Sequence, residues 1–191
     1  MADLPATAAW RHLDARVGFE VLFSKSEPGG YRFEGHSTAV EEGVAWSVSY
    51  AIEVDARWVT RSARVVAHSA IGAREVRLEA DGNGAWLLDG DPAPQVEGCL
   101  DLDLEASAFT NAFPVRRLAL KVGERAQTPA AYLRAPDLSL ERLEQTYARL
   151  DDDGNRSRYD YASPGFDFTA VLVYDEHGLV LDYPGIAVRA A

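Results

Sequence analysis

The sequence predicts a mainly β protein, and three observations carry that prediction. One long stretch alternates strictly between apolar and small or polar residues, several shorter stretches repeat the habit, and Gly- and Asp-containing breaks separate them. Strand side chains point alternately to opposite faces, so such alternation marks a strand with one buried face.

The longest run starts at Val44. Val44, Trp46, Val48, Tyr50, Ile52 and Val54 fall on one side; Ala45, Ser47, Ser49, Ala51, Glu53 and Asp55 fall on the other. A weaker alternation over 31–37 precedes it, and strand-like runs over 57–68, 75–80 and 85–88 follow. The breaks are Glu42-Gly43, Ile71-Gly72 and Asp81-Gly82-Asn83-Gly84. The last reads as a tight hairpin, because Asn and Gly tolerate the positive φ that such turns demand. Residues 156–162 and 166–174 read as further strands, with Asp175-Glu176-His177-Gly178 turning into 179–183. Many short strands joined by turns predict a meandering antiparallel sheet that curls or closes. Two segments differ. Leu140, Leu143, Tyr147 and Leu150 have helical spacing behind Ser139, a suitable N-cap. Residues 105–113 read as a short helix that Pro114 makes hard to continue.

With 191 residues and no linker or internal repeat, one domain spanning 1–191 is expected, large enough to bury roughly 70% of its unfolded surface. The net charge of −11, from 30 acidic against 19 basic side chains, repels a phosphate backbone and anionic head groups. Nucleic acid is therefore not an expected partner. Cys99 is the only cysteine, so no intrachain disulfide forms. No export signal is visible at the N-terminus and no apolar run reaches membrane-spanning length, which gives a cytoplasmic expectation.

Arg and Asp side chains on otherwise apolar strands are the most unusual feature. Arg61 alternates in phase with Val59, Ala63, Val65 and Ala67, so an interior guanidinium would need carboxylate partners. Residues 99–104 offer them: Asp101 and Asp103 share a side with Cys99, and three leucines take the other. Arg116 and Arg117 follow, and Asp182 lies between Leu181 and Tyr183. These groups fit a structural ion-pair network, a polar patch that orients a ligand's head group, or acid–base catalysis by the Asp101/Asp103 pair. Trp46, Trp58, Trp86, Tyr50, Tyr147 and Phe168 either fill a core or line a cavity. No metal or cofactor is expected. The four histidines lack paired zinc spacing, and Asp151, Asp153 and Asn155 match a calcium loop only in part, with Gly154 misplaced and Ala162 where Glu is needed. Acids near Cys99 argue against a reactive thiolate.

Several motifs occur in a recognisable order: Trp58-Val59-Thr60-Arg61, Asp81-Gly82-Asn83-Gly84-Ala85-Trp86, and Gly98-Cys99-Leu100-Asp101-Leu102-Asp103-Leu104. Phe109-Thr110-Asn111-Ala112-Phe113-Pro114-Val115-Arg116-Arg117-Leu118 comes next. Gln145-Thr146-Tyr147-Ala148-Arg149-Leu150 and Gly178-Leu179-Val180-Leu181-Asp182-Tyr183-Pro184-Gly185 close the series. Over about 58–185 the chain resembles the bacterial putative glycolipid-binding family, whose fold is a spiral β-roll. The resemblance implies a long antiparallel sheet curled around a single short α-helix near 105–113, a strand at 145–150 against local propensity, and a homodimer. It further implies a non-enzymatic binder of a glycolipid or other amphiphile in the sheet's interior. The ligand-binding residues expected on that basis are Trp58, Thr60, Arg61, Trp86, Asp101, Asp103, Asn111, Arg117, Tyr147 and Asp182. The alternatives are a hydrolase-like enzyme using Asp101 and Asp103, and a structural homodimer with no ligand.

Overall fold

The computed structural model describes residues 2–14 and 16–191. In chain order the strands are β1 (Thr7–His12), β2 (Val17–Glu27), β3 (Gly30–Glu41), β4 (Val44–Asp55), β5 (Thr60–Ser69), β6 (Gly72–Ala80), β7 (Trp86–Leu88), β8 (Asp91–Pro92) and β9 (Asp101–Leu104). A 3₁₀ turn (Phe109–Asn111) leads into the helix α1 (Ala112–Leu118). There follow β10 (Arg125–Gln127), β11 (Ala130–Leu133), β12 (Leu140–Leu143), β13 (Thr146–Asp153), β14 (Arg156–Ser163), β15 (Phe168–Tyr174), β16 (Val180–Tyr183) and β17 (Ala187–Arg189).

Fourteen strands form one antiparallel sheet in the order β10-β13-β14-β15-β16-β17-β1-β2-β3-β4-β5-β6-β7-β8. The chain therefore makes two meanders, joined where β17 pairs with β1 (Trp10 opposite Arg189). The sheet curls as a spiral β-roll around α1 and does not close, since β10 and β8 end it at either side. A second sheet, β12-β11-β9, includes the parallel pair β9–β11, with Asp101 opposite Ala130 and Asp103 opposite Tyr132.

The alternation of β4 is realised from Trp46 onward: Trp46, Val48, Tyr50, Ile52 and Val54 are buried on the inner face, while Val44 at the strand's start is exposed. The β6–β7 turn forms as expected. Asp81 accepts from the Asn83 and Ala85 backbone N–H groups at 2.7 and 3.0 Å, and Gly84 has φ +104° with its backbone against Gly98. A Cβ on Gly84 would lie 2.7 Å from Gly98 Cα, so only glycine fits there.

Three expectations are corrected. The helix lies later than 105–113, at Ala112–Leu118, with Pro114 inside its first turn. The first four N–H groups of a helix have no intrahelical acceptor, so proline loses nothing at that point. The segment with helical spacing forms strands β12 and β13, because pairing with β11 and β14 outweighs local propensity. Arg61 does not point inward. The register shifts between Glu53 and Val54, so β4 pairs Ser62 with Glu53 but Thr60 with Val54. This bulge puts Thr60 in the buried position and turns Arg61 outward.

Two aromatic clusters fill the roll. In one, Phe33 packs 4.7 Å from Phe109 and 5.8 Å from Phe113 (ring centroids), with Trp58 and Trp10 around them. In the other, Tyr147, Tyr159, Tyr161 and Tyr174 line the inner face of β13–β15 beside Val115. Glu20 ties the helical segment to the sheet. Its fully buried carboxylate accepts from Tyr50 Oη at 2.6 Å, from Ser107 Oγ, and from the backbone N–H groups of Ala108 (2.7 Å) and Phe109 (3.4 Å). Burial pushes its pKa up, opposed by those hydrogen bonds.

Candidate functional site

The polar groups of β9 go to two different places. Asp101 makes a bidentate pair with Arg117 from α1, Nη2 to Oδ2 at 2.6 Å and Nε to Oδ1 at 2.9 Å. Thr128 Oγ1 accepts from Arg117 at 2.5 Å and donates to Asp101 at 3.1 Å. Both Asp101 oxygens are thus engaged within the protein. Asp103, two residues on, accepts from Thr110 Oγ1 at 2.8 Å through Oδ1. Its Oδ2 has no hydrogen-bond partner among the described residues and faces a cleft. Burial, reinforced by the Asp101 and Glu105 carboxylates, raises the Asp103 pKa to about 6. The Asp101/Asp103 pair that the sequence offers for acid–base work is therefore split, one member locked in an ion pair and one free.

The cleft has a volume of about 210 Å³. It lies between the inner face of β14–β16 and the segment that runs from β9 into the helix. One wall is the aromatic trio Tyr161, Phe168 and Tyr183, whose ring centroids are 5.8–6.1 Å apart. Tyr132 and Phe166, in edge contact at 5.5 Å, also line it with Leu143 and Ile186, and of these Phe166 is the most exposed at 47%. Polar groups enter from several elements: Asp103, Glu105, Ser107 and Asn111 from the β9–α1 segment, Ser163 from the end of β14, and Arg16 from the approach to β2. Asn111 Oδ1 accepts from Tyr147 Oη at 2.9 Å, while its amide nitrogen has no partner among the described residues. Ser163 is 1% exposed, and its enclosed Oγ lies beside the Tyr161 hydroxyl. Arg16 donates to the Glu105 carbonyl at 3.2 Å and stands 5.2 Å from the Trp46 ring, a cation–π contact.

Of the ten ligand-binding residues expected from sequence, Asp103 and Asn111 line this cleft. Tyr147 lies behind it, hydrogen-bonded to Asn111, and Arg117 with Asp101 forms the neighbouring ion pair. Thr60 is buried and accepts from the Leu102 N–H at 3.0 Å, joining the two sheets. Trp58 carries the Arg116 guanidinium over its ring at 4.2 Å, and its φ of +68° is held by the turn that closes with its N–H on the Asp55 carbonyl. Trp86 is buried and donates to the Cys99 carbonyl at 2.8 Å. Arg61 donates to the Asp81 carbonyl at 2.6 Å on the outer side, and Asp182 is exposed. These last two lie outside the cleft. A wider outer furrow of about 580 Å³ does include Arg61, but charged side chains line it and pair with their neighbours, as Arg32 does with Glu53 at 2.8 Å. It is a solvated surface.

The cleft residues that sequence reasoning missed are Arg16, Glu105, Ser107, Tyr132, Tyr161, Ser163, Phe166, Tyr183 and Ile186. The one available signal was Ser163, a small polar residue in phase with Tyr159 and Tyr161 on the buried side of β14.

Solved structures place this arrangement among known folds. A DUF1089 family protein from Pseudomonas aeruginosa aligns with a TM-score of 0.75 at 37% identity, covering 90% of this chain and 92% of that one. A β-barrel-like protein of the domain of unknown function DUF1849 from Brucella abortus aligns with a TM-score of 0.55 at 12% identity, covering 96% and 93%, a likeness of fold alone. No curated protein matches the chain significantly. The family model described as "Putative glycolipid-binding" matches residues 7–189, nearly the whole β-roll. The chain belongs to that family.

Proposed function

We propose that the protein binds an amphiphile, a glycolipid or a molecule of similar build, by taking its polar end into the cleft beside Asp103. The observation that carries this reading is the cleft itself: aromatic rings of Tyr161, Phe168 and Tyr183 wall it, and an Asp103 carboxylate oxygen and the Asn111 amide nitrogen have no partner there among the described residues. Concave sites with mainly apolar walls and a few convergent polar groups are the usual form of a small-molecule site. The family description supports the ligand class.

The expected site changes accordingly. Asp103 and Asn111 meet the ligand, Tyr147 and the Asp101–Arg117 pair hold them in place, and Thr60, Trp58 and Trp86 build the frame. A homodimer belongs to the same proposal. Val17, Phe19, Val21 and Phe23 all face outward from β2, with Val40 beside Val17, and exposures run from 38% to 78%. A contiguous apolar row of this kind on a sheet face fits a second copy better than water.

Native mass spectrometry of the purified protein, with organic extraction of whatever travels with it, tests both parts. The reading expects a dimer mass carrying a lipid near one per chain. A chain that carries nothing and takes up no alkyl glycoside would refute ligand binding, and a monomer mass at micromolar concentration would refute the dimer.

A further inference from the structure

Among the described residues three carboxylates are buried: Glu20, Asp101 and Asp103. Glu20 accepts from four donors, and Asp101 is paired with Arg117. Asp103 alone keeps an oxygen without a partner, Oδ2, and that oxygen faces the cleft. A buried negative charge without compensation is costly, so the cleft gains most from a ligand that brings the missing positive charge. The one cation that lines the cleft, Arg16, does not supply it, because the Glu105 carbonyl and the Trp46 ring hold it instead.

The other walls act in the same direction. Glu105 brings a second carboxylate, whose Oε2 accepts from the Ala135 N–H at 2.8 Å and which no salt bridge engages among the described residues. The rings of Tyr161, Phe168 and Tyr183 stand 5.8–6.1 Å apart, and Tyr132 and Phe166 meet at 5.5 Å. Ring faces carry the negative part of the aromatic quadrupole and attract a cation. A phosphate or sulfate would face two carboxylates. An uncharged hydroxyl could use Asp103 Oδ2 but would gain little from the field of the rings. A primary ammonium has three N–H groups to satisfy, against two free carboxylate oxygens, Asp103 Oδ2 and Glu105 Oε1. A quaternary ammonium has no N–H and needs only opposite charge and ring faces. At about 210 Å³ the cleft suits a compact group better than an alkyl chain.

We infer that the cleft selects a quaternary ammonium head group of the choline type, held between the Asp103 and Glu105 carboxylates and the surrounding aromatic rings. This rests on the amphiphile-binding reading and deepens it by naming the charge of the end that enters. The two carboxylates compensate the cation, the ring faces take its methyl groups, and the free Asn111 amide donates to an oxygen of the same head group.

The test is isothermal titration calorimetry at pH 7.5, above the Asp103 pKa of about 6. Salt at about 150 mM screens attraction to the acidic outer surface. The probes are octyltrimethylammonium and octyl glucoside below micelle formation, choline, and neohexanol, the uncharged carbon isostere of choline. Octyltrimethylammonium should bind about tenfold or more tighter than octyl glucoside, and choline should exceed neohexanol by a similar factor and displace octyltrimethylammonium. Asp103→Asn keeps the side chain's shape and an acceptor for Thr110. It should weaken octyltrimethylammonium about tenfold or more and octyl glucoside by no more than about threefold. Phe168→Leu removes one ring face from a half-buried position and should weaken the cation about threefold or more. If octyl glucoside binds as tightly as octyltrimethylammonium, or neohexanol as tightly as choline, the cationic head group falls and amphiphile binding stands. If neither octyl compound binds, the reading beneath it falls as well.

Discussion

Removing the guanidinium that faces Asp101 tests the energetic logic of the β9–α1 junction. In Arg117→Met the Asp101 side chain, 1% exposed, loses two charge-assisted hydrogen bonds at 2.6 and 2.9 Å and keeps only Thr128 at 3.1 Å. Arg117 is itself only 14% exposed, so solvent does little to screen the pair. Breaking a buried pair by deleting one partner costs about 3–5 kcal/mol, because the other charge stays buried without compensation. In a chain of this size each kcal/mol moves Tm by roughly 2–4 °C, so a fall on the order of 10 °C follows. Urea unfolding followed by circular dichroism gives the free energy, and a thermal melt gives Tm. The double variant Asp101→Asn/Arg117→Met leaves no buried charge and should recover most of the loss. A single-variant cost below about 1 kcal/mol, the scale of a surface pair, would refute the view that this ion pair fastens the helix to the small sheet.

Three further outcomes follow from buried titratable groups. Asp103 is faced by Asp101 on β9 and Glu105 just after it, by Arg16, and by Tyr132, Tyr161 and Tyr183, whose hydroxyls burial keeps protonated. Protonation near pH 6 removes its acceptor, so glycoside affinity should fall as pH drops through about 6, and Asp103→Asn should abolish that dependence. A pH-independent wild-type affinity between pH 5 and 7.5 would contradict this role. The raised carboxyl pKa has the opposite sign for folding: the group's contribution to ligand-free stability grows as pH falls from above 6 toward the unfolded value near 4 and is lost as pH rises again through 6. Glu20→Ala strands the Ala108 and Phe109 N–H groups, which cannot rotate to other acceptors, at about 1–3 kcal/mol each; a loss under about 1 kcal/mol in urea unfolding would show that the helix entry does not depend on it. Burial pushes the Cys99 thiol up to about 11, so an aromatic disulfide reagent at pH 8 should leave the native protein unlabelled and react with one thiol per chain in denaturant; rapid native labelling would contradict that placement.

Where one side of a strand is buried and the other solvated, as in β4, the sequence could be read directly. Where that relation inverts, it could not. On β2 the apolar Val17, Phe19, Val21 and Phe23 face out while Glu20 and Leu22 face in, so the alternation points to the wrong buried face and conceals a buried carboxylate. Arg61 was misplaced because one extra residue at a bulge reverses the direction of every side chain before it, and alternation carries no mark of the bulge. The strands at 140–153 form because β11 and β14 are there to pair with them, information that local spacing does not hold. The cleft was half legible. Asp103 and Asn111 sit in motifs that stand out in the chain, but Arg16, Tyr132, Ser163 and Tyr183 come from distant elements that only the curl of the sheet brings together.

The central claim is that ligand enters the cleft between β9–α1 and β14–β16. Backbone amide NMR shifts recorded while an octyl glycoside is titrated in test this most directly. The account predicts shifts concentrated at residues 103–111, 161–168 and 183. Shifts confined to the outward row from Val17 to Phe23, or spread evenly over the sheet, would place the amphiphile elsewhere and contradict it.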